Sequence, residues 1–155
     1  MANNPATYED ANLILRLYEL RREEKLRQAR DWFGMNFRAT SMEEAFKVIP
    51  MGSKENAYFR MVVSYWDMAA AFVTSGVLNQ DLFFQTSGEM LFVWERVRQV
   101  LPGFREMTKN PEAWKNLESV GNAFIQHIKS KGPESYAAFQ AMVASIPASA
   151  QKTSA

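Results

Sequence analysis

Apolar residues return every three or four positions from Thr7 to Ile146, the period of helices that bury one face. Leu13, Leu17 and Leu20 form one stripe, and Leu15, Tyr18, Leu26, Ala29 and Phe33 form its neighbour, which predicts a helix over 8–37. Thr7 is its N-cap, with Asp10 in the capping-box position. Ser41-Met42-Glu43-Glu44 is a second capping box and opens a short helix to about Ile49, which Pro50 and Gly52 end. Ser53 caps a helix over 54–75 with the stripe Phe59, Val62, Trp66, Ala69, Ala70 and Val73. Tyr58, Met61, Tyr65, Met68 and Phe72 extend the apolar surface around that helix, so it is either the centre of a bundle or part of a subunit interface.

Gly76 is placed to end this helix and Asn79 to cap the next, over 80–101, with Phe83, Ser87, Met90, Trp94, Val97 and Leu101 on its stripe. The short connection predicts an antiparallel hairpin. Pro102-Gly103 breaks the pattern, with room for one extra turn over 104–109. Asn110-Pro111-Glu112 then reads as a helix start. The helix it opens runs to about Lys131 and carries Trp114, Leu117, Gly121, Phe124, Ile125 and Ile128. After Gly132-Pro133 a last helix over 134–146 presents Tyr136, Phe139, Val143 and Ile146. No segment has the period of a strand, and no repeat is present. The pattern predicts an all-α, single-domain bundle over 7–146 of five to six helices around a central antiparallel hairpin. Residues 1–6 and 147–155 are expected to be disordered tails.

Composition changes this picture little. A 47% apolar and 13% aromatic content suits a globular domain. Eighteen Lys and Arg against seventeen Asp and Glu give a net charge of +1, without the basic excess a nucleic-acid binder uses against phosphates. The charged run over 19–31 interleaves both signs, with Glu23 and Arg27 at i,i+4 spacing, as on a solvated helix face. The start of the chain has no secretory signal pattern, and its most apolar stretch, 68–73, is far shorter than the ~20 residues of a membrane span. A cytoplasmic protein that binds neither nucleic acid nor membrane is the expectation.

The chain has no cysteine and one histidine, His127, with Phe124 where a Glu-x-x-His di-iron motif needs an acid. With no phosphate-binding or nucleophile motif either, no catalytic residue, metal or cofactor is expected. One polar cluster stands out. Asp67 interrupts the most apolar part of helix 54–75 on the face of Arg60, and the facing helix carries Glu89 and Arg96. The register of an antiparallel hairpin sets Asp67 level with Glu89 and Arg60 level with Arg96. Two carboxylates flanked by two guanidiniums suit a cation, a polar ligand or a proton held at raised pKa. The same residues also suit a water-facing stripe or a closed salt-bridge network. Trp32, Trp66, Trp94 and Trp114, with eleven Phe and nine Met, suit a plain core or a lined apolar pocket.

Over roughly 55–120 the chain resembles a group of small bacterial helical proteins of unknown function. The resemblance rests on Tyr65-Trp66-Asp67-Met68, Gly76-Val77-Leu78, Leu82-Phe83, Trp94, Asn110-Pro111 and Leu117-Glu118. It implies a helical fold and assigns no functional residue. Two functions are compatible with the residues. One is a non-enzymatic interaction module that self-associates, most simply as a symmetric dimer. The other is a small-molecule-binding or enzymatic domain with a polar site between helices 54–75 and 80–101.

Overall fold

The computed structural model describes residues 4–147, so the tail expectation for 1–3 and 148–155 lies outside the described residues. These form an all-α domain with nine helices and no strand. In chain order they are α1 (Tyr8–Arg21), α2 (Glu24–Asn36), α3 (Met42–Val48), α4 (Lys54–Thr74), α5 (Gln80–Thr86), α6 (Gly88–Val97), α7 (Leu101–Thr108), α8 (Lys115–Lys131) and α9 (Ser135–Ser145).

The count exceeds five to six because two expected helices are each broken and a third forms where a break was expected. Helix 8–37 divides at Arg22-Glu23. Glu23 leaves the helical conformation (φ −58°, ψ 138°) and its carboxylate accepts the Leu26 amide, capping α2. Helix 80–101 divides at Ser87, within Thr86-Ser87-Gly88, three residues that are poor helix formers. The Thr86 hydroxyl donates back to the Leu82 carbonyl at 2.9 Å, a contact that bends helices. Pro102 opens α7, since the first turn is where a residue without an N–H costs nothing. Gly103, beside it, lies where a Cβ would sit 2.7 Å from Cγ of Met42 on α3.

The start of α8 also moves. Asn110 caps a turn, its Oδ1 accepting the Glu112 amide at 3.0 Å, and the helix begins only at Lys115. Between them Trp114 adopts a left-handed backbone (φ 53°), a conformation costly for a bulky residue. Its ring stacks on Phe104 at 4.2 Å and meets Phe59 edge-on at 5.8 Å, and those contacts offset the strain. Thr7–Asp10 forms a full capping box, Ser41, Ser53 and Asn79 each cap a helix, and Gly76 turns with φ 80°. The second expected box closes on one side only, since the Glu44 carboxylate accepts the Thr40 amide in place of that of Ser41.

At the centre is α4, packed between α2 and α8 with α6 on a third side. Trp66, Ala69 and Ala70 are sealed there, along with Phe33 and Phe37 from the α2 side and Leu117 from α8. Small residues set the spacing. A Cβ on Gly121 of α8 would fall 2.4 Å from the Trp94 ring, so α6 and α8 meet at this distance only because residue 121 has none. The apolar circumference of α4 is thus covered on the sides of α2, α6 and α8, while Met68 stays 39% exposed.

Candidate functional site

The four residues expected to share a site make four separate sets of contacts. Asp67, half-buried, accepts the Leu117 amide at 2.9 Å through Oδ1. The first amides of a helix lack intrahelical partners, and Trp114, in the cap position, offers none from its side chain. Asp67 therefore caps α8 from across the bundle, and its negative charge suits the positive end of that helix. Its partner is a backbone amide and not Arg60 or Arg96.

Glu89 sits at the start of α6 and is held by Arg30 of α2 in a bidentate pair, Nε at 2.7 Å and Nη2 at 2.6 Å. Arg21 adds a longer ion pair at 3.6 Å, while Arg30 Nη1 donates to the Arg21 carbonyl at 2.9 Å. The Glu89 hydrogen bond raises the Arg30 pKa, as a paired guanidinium requires. The α1–α2 break and the α5–α6 break are thereby stapled together. Arg30, expected on a solvated face, is part of this closed network.

Arg96 is 8% exposed and donates to the Phe37 carbonyl at 2.6 Å and the Val143 carbonyl at 3.5 Å. Burial, then the neighbouring Arg38, pushes its pKa down. It binds the carbonyl-rich ends of α2 and α9, where helix dipoles favour a cation. Arg60 is exposed, with Nε donating to Oδ1 of Asn56 at 3.1 Å. The register expected for a continuous hairpin does not carry past the break at Ser87, and α8 lies along α4 where Asp67 emerges. His127 rests against the Phe84 ring at 5.0 Å, half-buried.

A different site is open on the remaining side of α4. A groove of about 910 Å³ runs between α3, α4 and α7, with Trp114 among its lining residues. Phe46, Phe59, Phe104 and Trp114 supply its rings, and Met42, Met51, Met61 and Met107 its thioethers. Among the described residues lining it, Arg60 alone carries a charge. Asn56 fixes that charge. Its side-chain nitrogen donates to the Ile49 carbonyl at 3.1 Å, which turns its oxygen toward Arg60. The Ser64 and Thr108 hydroxyls donate back to their own helices, to Met61 and Phe104.

Of the residues singled out in the sequence, Arg60 and Trp114 line this groove, together with Phe59 and Met61 from the apolar surface of helix 54–75. Asn56 is the polar lining residue that the apolar pattern does not mark, although it stands i,i+4 from Arg60. Among the described residues no group of His, Asp and Glu is arranged to hold a metal ion, and no helix is long and apolar enough to cross a membrane.

The arrangement defines an all-helical domain with an apolar groove beside its central helix. The chain belongs to the family described as Domain of unknown function (DUF4760), whose model matches residues 6–124. That match takes in α1 to α7 and the capped half of α8. No curated protein and no solved structure matches the chain.

Proposed function

We propose that this chain is a non-enzymatic binding module whose groove between α3, α4 and α7 takes up an apolar ligand. The observation that carries this is the groove itself: about 910 Å³, walled by methionine and aromatic side chains with few polar groups. Small-molecule sites have this size and this ratio of apolar wall to fixed polar contact. Met thioethers adapt to the shape of what they hold, which favours a ligand without a rigid outline. The groove hydroxyls are bound to helix carbonyls, and the described lining residues include no His, Asp, Glu or Lys to act as a base, which supports binding over catalysis. The test is titration with the neutral fluorescent probe N-phenyl-1-naphthylamine. Saturable binding is expected, lost in Ala57→Phe, which fills the groove from α4 while keeping the helical circular dichroism. Binding that is unchanged in Ala57→Phe would overturn the proposal.

Self-association is a second reading, and one feature favours it. Tyr8, Leu15 and Tyr18 lie on one side of α1 at 78%, 59% and 49% exposure, an apolar stripe that a second copy would cover in a symmetric dimer. Light scattering at micromolar concentration separates dimer from monomer, and a dimer broken by Leu15→Glu would support this face.

A further inference from the structure

We propose that the groove is selective for an aliphatic chain ending in a carboxylate, with Arg60 as the group that reads the head. This rests on the binding function proposed above and adds the ligand class. Arg60 is the single charge among the described lining residues, and no ion pair of the described residues involves it. Its Nε is already committed to Asn56 at 3.1 Å, and Asn56 is itself buried and tied to the Ile49 carbonyl at 3.1 Å. The guanidinium is therefore oriented from one edge while its two terminal nitrogens stay available. A pair of parallel N–H donors matches the two oxygens of a carboxylate.

The contrast with the arginines that hold the bundle together sharpens this. Arg30 has Glu89, Arg105 has Glu118 at 2.7 Å, and Arg96 has two backbone carbonyls. Among the described residues Arg60 has only a neutral amide, and it stands beside an apolar groove. Charge complementarity calls for an anion there, and the walls behind it call for a flexible hydrocarbon. The four methionines, on α3, the α3–α4 connection, α4 and α7, are spread around the groove and suit a chain that bends.

The test compares decanoate with 1-decanol, equal in chain length and differing in the head, by calorimetric titration of the full chain. Wild type is expected to prefer decanoate by about ten-fold or more, since hydrogen bonds to a charged group are the strong ones. Arg60→Gln, checked for unchanged circular dichroism, should bring decanoate down to the affinity of the alcohol and leave the alcohol unaffected. Equal binding of both ligands to wild type, or a preference that survives Arg60→Gln, overturns the head-group assignment while leaving an apolar groove. Failure of both ligands to bind overturns both proposals, and binding of the alcohol without decanoate overturns the head-group assignment alone. A dimer that decanoate neither enters nor dissociates would give the groove to a second copy and likewise overturn the assignment.

Discussion

The two flanks of α4 are built from similar residues and end in opposite states. Toward α2, α6 and α8, Trp66, Ala69 and Ala70 are sealed. Toward α3 and α7, Ala57, Met61 and Ser64 look into an open groove. Hydrophobicity does not separate them. Length and side-chain size do. α4 has 21 residues and spans about 31 Å, and α8, with 17, spans about 25 Å and covers most of that. α3 has 7 residues and α7 has 8, only about 10–12 Å each, and neither can cover the helix it faces. On the closed flank, alanine and glycine admit close approach of the backbones. On the open flank, long thioethers and rings surround a space they do not fill.

The largest effect expected from this contrast is at Gly121. Alanine there favours the helix intrinsically by up to about 1 kcal/mol. Its Cβ would nevertheless lie 2.4–2.9 Å from three atoms of the Trp94 ring, which is 4% exposed and has nowhere to move. Overpacking should win, and Gly121→Ala should destabilise the domain by about 1–3 kcal/mol in urea titration. A more stable variant would show that the closed flank is looser than its geometry, and the distinction between the flanks would fail.

A smaller effect is expected at Asp67, where closed packing depends on a polar contact. The carboxylate caps α8 from α4, and helix caps are worth about 0.5–2 kcal/mol. Asp67→Ala should therefore cost about 1 kcal/mol, less than the loss of a buried ion pair, about 3–5 kcal/mol. A cost of that larger size would mean that Asp67 has a charged partner in solution. The loss should be felt at the start of α8, so amide exchange should quicken at Lys115, Asn116 and Leu117 before it does in α4.

Asp67 also shows what could be read from the sequence and what could not. Local signals held: a capping Ser or Asn before a periodic run marked three helix starts, and Gly76 marked a turn, because caps and left-handed turns depend on neighbouring residues. The breaks at Glu23 and Ser87 were written in weak formers and a potential cap, but a continuous apolar period across them outweighed those signals. Pro102-Gly103 was ambiguous, since proline ends one helix and begins another with equal ease. The candidate site depended on the register between helices 54–75 and 80–101, a long-range quantity that one break displaces. That Asp67 would either face water or find a partner was legible; that the partner would be an amide 50 residues away was not. The groove's residue types were legible, in Trp114, the methionines and the Asn56–Arg60 spacing, but its place was not, because a cavity is defined by what neighbouring elements fail to cover.

The smallest expected effect tests the open flank directly. The hairpin register sets Arg60 level with Arg96, yet one is exposed at a groove and the other is buried on carbonyls. Arg60 gives the fold a single neutral hydrogen bond, to Asn56, whose amide keeps its other anchor at Ile49 when that bond is lost. Replacing Arg60 strands no buried charge and opens no cavity, so Arg60→Gln should leave stability within about ±0.5 kcal/mol. Urea titration without ligand measures this. A neutral result is what a side chain held out for a ligand should give, since its contribution appears only when the groove is occupied. A cost of 2 kcal/mol or more, about the range of a buried unsatisfied polar group, would place Arg60 among the groups that hold the bundle together. The open flank would then be a structural surface, and the difference between the two sides of α4 would be one of degree.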